Sequence, residues 1–291
     1  MRCLKRAAAR DVIAREAAAG RSPDALLNGA SGILALCVLA DSAVEHYRGS
    51  FHNPAMIAPL VTSALEAGAS AHRLAQRGRP PHHVRRGVHA LAIATGLIGS
   101  AFHVYNIRKR SGGFSFMNLF YGAPIAAPGA LLLSGLLGLA TERVRRPSPF
   151  SRLFRRRRER SFGRPLALLT SLGIAGTVAE AALLHFRGAF HNRAMYLPVT
   201  LPPLAAAALA GSAFSASPGI ARAARRLLRA VGLLGMAGTA FHAYGISRGM
   251  GGFRNWTQNV LAGPPLPAPP GFTALALAGL AALELQRAER R

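Results

Sequence analysis

Six of the ten histidines in this chain of 291 residues sit in two short blocks that each occur twice. HYRGSFHNPAMIAP at 46–59 matches HFRGAFHNRAMYLP at 185–198 in nine of fourteen positions. Under the same shift of 139 residues, FHVYNIRKRSGGF at 102–114 matches FHAYGISRGMGGF at 241–253 in seven of thirteen. The blocks carry His46, His52 and His103, then His185, His191 and His242, with Arg48 and Arg187 two residues after the first histidine of each half. Three chemistries suit such a set. His46 with His103, and His185 with His242, could be axial ligands of a b-type haem, with Arg48 and Arg187 on its propionates. Three imidazoles per half could bind a transition metal such as copper, zinc or iron. Histidine, arginine and Tyr105 or Tyr244 could hydrogen-bond a quinone head group. The plain alternative has the histidines hydrogen-bonding helix ends with no cofactor at all.

The spacing constrains how these residues meet. His46 and His52 are six residues apart, about 600° around a helix, and cannot share one helical face. Gly49, matched by Gly188, is expected to end the helix in a left-handed conformation and fold the chain back. Asn53 and Asn192 suit bonding to the turn backbone. Gly96 and Gly99, with Gly235 and Gly238, precede His103 and His242 by seven and four residues. They fit either a flat macrocycle or a close helix–helix contact. Asp41 aligns with Glu180, while Glu66 has no acidic counterpart; all three read as proton-relay or structural groups, since carboxylates in apolar spans are costly. His72, His82, His83 and His89 lack repeat partners and are expected to be solvated or interfacial. Phe114, Phe116, Phe120, Tyr121, Phe253 and Trp256 suit an interfacial aromatic belt.

The elements holding these residues must be membrane helices. Hydrophobic residues make up 51% of the chain and charged ones 16%, and mean hydropathy is +0.24 despite a formal charge of +25. Charge is therefore segregated from long apolar runs, which excludes a disordered chain and argues against a soluble nucleic-acid binder. About 20 apolar residues cross a bilayer core as a helix. Eight stretches approach that length, at about 26–45, 54–76, 87–105, 121–142, 165–184, 194–214, 227–246 and 271–286. They show no consistent alternation of the kind a membrane β-barrel needs. With eight spans, 28 basic residues fall on one side and eight on the other. The positive-inside rule then puts both termini in the cytoplasm of a bacterial inner membrane. The basic run at 155–158 lies between two spans and reads as a topology signal that also touches anionic lipid. Asp11, Glu16 and Asp24 interrupt the basic start of the chain, which does not suit a cleaved signal peptide.

The expected fold is an all-α integral membrane protein: two parallel four-helix repeats about a pseudo-twofold axis along the membrane normal. Its parts are a basic cytoplasmic segment at 1–25, repeats at 26–142 and 165–286, an Arg-rich linker at 143–164 and a tail at 287–291. Both repeated blocks map to the non-cytoplasmic side. They point to a membrane subunit of an electron-transfer system using haem, metal or quinone, in contact with the lipid bilayer and a periplasmic redox partner, not nucleic acid. Two alternatives come from other classes. One is a small-molecule or ion transporter, motivated by Asp41, Glu66 and Glu180. The other is a non-catalytic anchor for a periplasmic partner, motivated by the outer arginines and aromatics. Cys3 and Cys37 form no metal or redox motif.

Overall fold

The computed structural model describes residues 22–76, 82–143 and 162–290. The basic start of the chain up to residue 21, most of the Arg-rich linker and the run at 155–158 lie outside them. The described residues are helical and contain no strand. In chain order the helices are α1 (Pro23–Arg48), α2 (Ala58–Ala75), α3 (His83–Arg108), α4 (Phe116–Tyr121), α5 (Ala126–Arg143), α6 (Gly163–Arg187), α7 (Leu197–Phe214), α8 (Pro218–Ser247), α9 (Trp256–Ala262) and α10 (Pro269–Glu289). One-turn 3₁₀ segments at Pro54–Ile57, Arg193–Tyr196 and Gly252–Asn255 lead into α2, α7 and α9. The short α4 and α9 take up the start of the apolar stretch expected at 121 and the loop before the last one.

Among the described residues, four helical segments are long and apolar enough to cross a membrane: Pro23–Arg48, His83–Arg108, Gly163–Arg187 and Arg193–Phe214. Proline stands at the first or second position of α1, α2, α7, α8 and α10, and Pro202 and Pro203 lie inside α7, as membrane helices tolerate. Large apolar side chains are exposed along the middle of these helices, among them Leu36, Leu65, Leu97, Ile98, Leu172, Leu204 and Leu233. A water-facing surface rarely carries so much contiguous apolar area, whereas lipid accepts it. The chain is a membrane protein by these features.

Each half of the chain forms a bundle of four long helices. In the first half, α1 packs on α2 and α5, and α3 packs on α2 and α5 as well, so α1 and α3 stand at opposite corners. In the second half, α6 and α8 stand at opposite corners between α7 and α10. The halves join mainly through α1 against α10, while α5 and α6 meet only lightly. A strict twofold would make those two contacts equal, so the halves depart from it. Helix α10 is the most enclosed, buried along its length from Pro269 to Gln286.

Glycine sets how closely the helices approach. A Cβ at Gly96 would lie 2.7 Å from the Pro128 carbonyl and 2.8 Å from Leu132 Cα; one at Gly235 would lie 2.7 Å from the Pro269 carbonyl. Gly99 and Gly238 face the same prolines. These four glycines thus serve backbone contact between α3 and α5 and between α8 and α10, the second of the two roles their spacing allows. Gly96→Ala and Gly235→Ala should each cost about 1–3 kcal/mol through overpacking. Gly68→Ala, whose Cβ would meet open space, should leave the thermal unfolding midpoint in detergent unchanged or slightly higher.

Candidate functional site

The C-terminal ends of α1 and α6 close in the same way. Gly49 and Gly188 have φ of −81°, so neither is left-handed. The left-handed positions are the next two residues, Ser50 and Phe51 (φ 56° and 45°), and Ala189 and Phe190 (φ 53° and 45°). This corrects the role expected of the glycines. They are small because a Cβ at Gly49 or Gly188 would lie 3.1 or 3.0 Å from the Met56 or Met195 methyl. The strained pair lets Phe51 N–H donate to the His46 carbonyl at 3.0 Å and Phe190 N–H to that of His185 at 3.0 Å. Each phenyl ring then sits edge-on to its histidine, with centroids 6.2 and 6.0 Å apart. Ser50 is exposed, and glycine tolerates its left-handed backbone. Ser50→Gly should therefore raise stability by roughly 0.5–1 kcal/mol, which denaturation in detergent would show.

Asn53 and Asn192 accept from the N–H groups of Ala55 and Ala194, both at 2.9 Å, and start the 3₁₀ turns. The turn presents a carbonyl to the histidine. His46 Nδ1 bonds Met56 O at 2.6 Å and His185 Nδ1 bonds Met195 O at 2.8 Å. On the neighbouring helices, His103 Nδ1 bonds Pro124 O and His242 Nδ1 bonds Pro265 O. A carbonyl only accepts, so Nδ1 is the donor in all four rings. In the neutral ring, that leaves Nε2 with a lone pair. Fixing one ring nitrogen on a backbone carbonyl to present the other is how metal-bound histidines are oriented.

His46 on α1 and His103 on α3 come from opposite corners of the first bundle and lie close enough to feel each other's charge. His185 on α6 and His242 on α8 do the same in the second. Burial thins toward this end of both bundles. In the first, α1 has no buried residue after Ser42, α3 has none between Gly96 and Ile107, and burial begins at Thr62 in α2 and Leu131 in α5. In the second, α6 has none after Ile174 and α8 has none between Gly235 and Ile246. All four histidines are half-buried at this end.

The other expected residues are placed differently. His52 and His191 are exposed, and each bonds back to its own turn at Gly49 O (3.0 Å) or Gly188 O (2.9 Å). Among the described residues, no three His, Cys, Asp or Glu side chains are grouped so as to hold a metal ion. Tyr105 and Tyr244 follow their histidines by two positions, about 200° around the helix, and are exposed. Arg48 is paired with Glu45 at 2.8 Å on the surface. Arg187 instead lies over the rings of Phe120 and Tyr121, 4.8 and 5.9 Å from their centroids. Phe186 beside it packs on Phe116 and Phe120, so part of the expected aromatic belt joins α4 to α6. Asp41 and Glu180, in different halves, fall within electrostatic range of one another, as do Glu45 and Arg187 with Glu180.

His89 and Glu66 overturn a sequence expectation. His89 is 2% exposed, neither solvated nor interfacial, and its Nδ1 lies 2.8 and 2.9 Å from the two carboxylate oxygens of Glu66, which is fully buried. Ser31 Oγ donates to the same carboxylate at 2.9 Å. One turn away along α3, Arg85 holds Glu142 with Nε at 2.7 Å and a second nitrogen at 3.3 Å, and another guanidinium nitrogen reaches His72 at 3.1 Å. His82 donates its backbone N–H to Glu142 at 3.3 Å; His72, His82 and His83 are exposed, as expected, and of the four unmatched histidines His89 alone is buried. The signal for His89 was present in the spacing. His89, Ala92, Gly96, Gly99 and His103 form one stripe along α3, so a histidine on that stripe faces inward.

No protein-family model, curated protein or solved structure matches the chain.

Proposed function

We propose that this protein is a cytoplasmic-membrane subunit of an electron-transfer system, with eight spans in two parallel four-helix repeats and its histidine turns on the periplasmic face. The relation between the repeats is an approximate twofold along the membrane normal, loosened where α5 and α6 draw apart. One observation carries the redox reading. Four imidazoles, two per half on opposite helices, each have Nδ1 tied to a backbone carbonyl and Nε2 directed away from it. Two imidazoles from opposite corners of a bundle suit the two axial positions of a b-type haem. His46 and His103 would hold one group, and His185 and His242 the other. A haem so ligated supplies a one-electron couple. The protein fixes ring orientation through the Met56, Pro124, Met195 and Pro265 carbonyls, which also raises imidazole basicity.

Outer-face cations such as Arg48, Arg193 and Arg254 would favour an acidic redox partner from the periplasm. The two-ligand pairs suit haem better than a three-imidazole metal site, and the outward tyrosines weigh against a quinone held jointly by Tyr105 and His103. The test is an oxidised-minus-reduced absorbance spectrum of detergent-purified protein, with elemental analysis of the same sample. A Soret band that shifts on reduction, with iron in proportion, is the expected result. A well-folded preparation that stays colourless and iron-free after haem reconstitution would overturn the reading.

A further inference from the structure

The first half has buried ionisable pairs in its interior; among the described residues the second half buries Thr170, Ser171, Ser212 and Gln286, and its Arg225–Glu284 pair is partly exposed. The core of the first half carries Glu66 and His89 in contact, with Ser31, Ser70 and Ser134 around them: Ser70 Oγ lies 3.4 Å and Ser134 Oγ 3.5 Å from Ser31 Oγ. Toward the histidine turns, Thr62 and Thr95 bond each other at 3.2 Å, one helical turn from Glu66. Toward the opposite end comes the Arg85–Glu142 pair with His72. At the matching positions the second half has Ala205, Leu228, Thr170, Leu209, Leu275, Leu201, Leu234, Ala224 and Leu283. Most of these belong to one continuous apolar core. Thr170, where the first half has Ser31, has a buried hydroxyl without a hydrogen-bond partner. Gly138 admits the pair: a Cβ there would collide with the His89 ring and come within 2.8 Å of Glu66 Oε1. Its counterpart, Gly279, makes room for Leu228 and Leu209 instead.

Buried ionisable groups inside a span mark proton or ion routes when partners line up on both sides of them. Few other charges face the pair. On α1 only the Cys37 thiol lies between Asp24 and Asp41; α2 adds His72 and Arg73 beyond Glu66; α3 adds Arg85; α5 adds Glu142. An open cavity of about 610 Å³ reaches Glu142 and Ala90 from the end opposite the histidine turns, lined also by His83, Arg86 and Arg143. This opens one end of the polar column to water; at the other end, burial thins from Thr62 toward the histidine turns.

We propose that the first half of the bundle, and not the second, conducts protons between the two faces, with Glu66–His89 as the internal proton-holding pair. The proposal rests on the membrane-spanning arrangement above and does not need the cofactor. The central transfer follows an existing hydrogen bond. The His89 Nδ1–H bond breaks as a Glu66 O–H bond forms, turning imidazolium and carboxylate into two neutral groups with no change in net charge. Glu66 then releases that proton toward Thr62 and Thr95, and the vacant His89 Nδ1 takes up a replacement from the Arg85–Glu142–His72 side once the ring turns, which restores imidazolium and carboxylate. The second half is a copy whose column is filled with leucine and alanine.

The test uses the full chain in lipid vesicles that enclose a pH-sensitive dye, with potassium and valinomycin holding the potential at zero. After an external pH step, vesicles with native protein should equilibrate several-fold faster than protein-free vesicles. E66A/H89L installs the second half's own residues and should return the rate to the protein-free level. Glu66→Gln, which keeps most of the shape and hydrogen bonding, should do the same. Native protein equilibrating at the protein-free rate, or either variant conducting like native, would overturn the proposal. Conduction without a haem spectrum removes only the electron-transfer reading; a haem spectrum without conduction removes only the proton path.

Discussion

Glu66→Ala should destabilise the protein by about 3 kcal/mol or more, whereas Glu66→Ala with His89→Leu should fall within about 1 kcal/mol of native. The single change leaves His89 buried among Ser31, Ser134 and Gly138 without its acceptor. Removing one partner of a buried pair is costly because the other keeps its lost hydration and gains nothing back. The double change removes both partners and substitutes a packing that the protein already uses. Ala205 and Leu228 are fully buried in the second half, with Leu228 against the glycine that matches Gly138. The pair is thus expected to be retained for what it does, not for the stability it adds. Unfolding in detergent, followed by circular dichroism in native, single and double variants, measures the coupling directly. If the double variant is as unstable as the single, the pair is a structural element of the first bundle.

Loss of haem should follow the pairing of the histidines, not their number. His46→Ala with His103→Ala removes both ligands of one site and should leave about half of the absorbance change. His46→Ala with His242→Ala also removes two imidazoles, but one from each pair, and should remove or strongly weaken both sites. The difference follows from the arrangement: His46 and His103 fall within electrostatic range of one another in the first bundle, and His185 and His242 in the second. A single composite site between the halves would make the two double variants alike. Spectra normalised to protein, with iron measured in parallel, decide between these outcomes.

Much of the arrangement was legible in the sequence because it is local or periodic. Each of the eight apolar stretches falls on a long helix, to within five residues at every end but one, since length and hydropathy act along the chain; α8 begins nine residues earlier, at Pro218, and four helical segments among the described residues are long and apolar enough to span. The recurrence of H-x-R-G-x-F-H-N and F-H-x-Y located both turns, and Asn53 and Asn192 cap them as their side-chain chemistry predicts. What misled was the assignment of single residues inside those turns. Gly49 appeared to be the left-handed residue. The chain instead places Ser50 and Phe51 there, because the carbonyl of Met56 must come round to His46 and the methyl of Met56 needs the space beside Gly49.

The sequence by itself determined a helical membrane chain, its repeated histidine blocks and the ends of the helices that bear them. Hydrophobic periodicity, turn chemistry and charge distribution are all written residue by residue. Only the tertiary structure decided which histidines come within electrostatic range of one another, that Arg48 and Arg187 have different partners, and that Glu66 meets His89. Those depend on which helices become neighbours and how closely glycine lets them approach. A pair 23 residues apart in the chain, brought to 2.8 Å, exists only because α2, α3 and α5 enclose it.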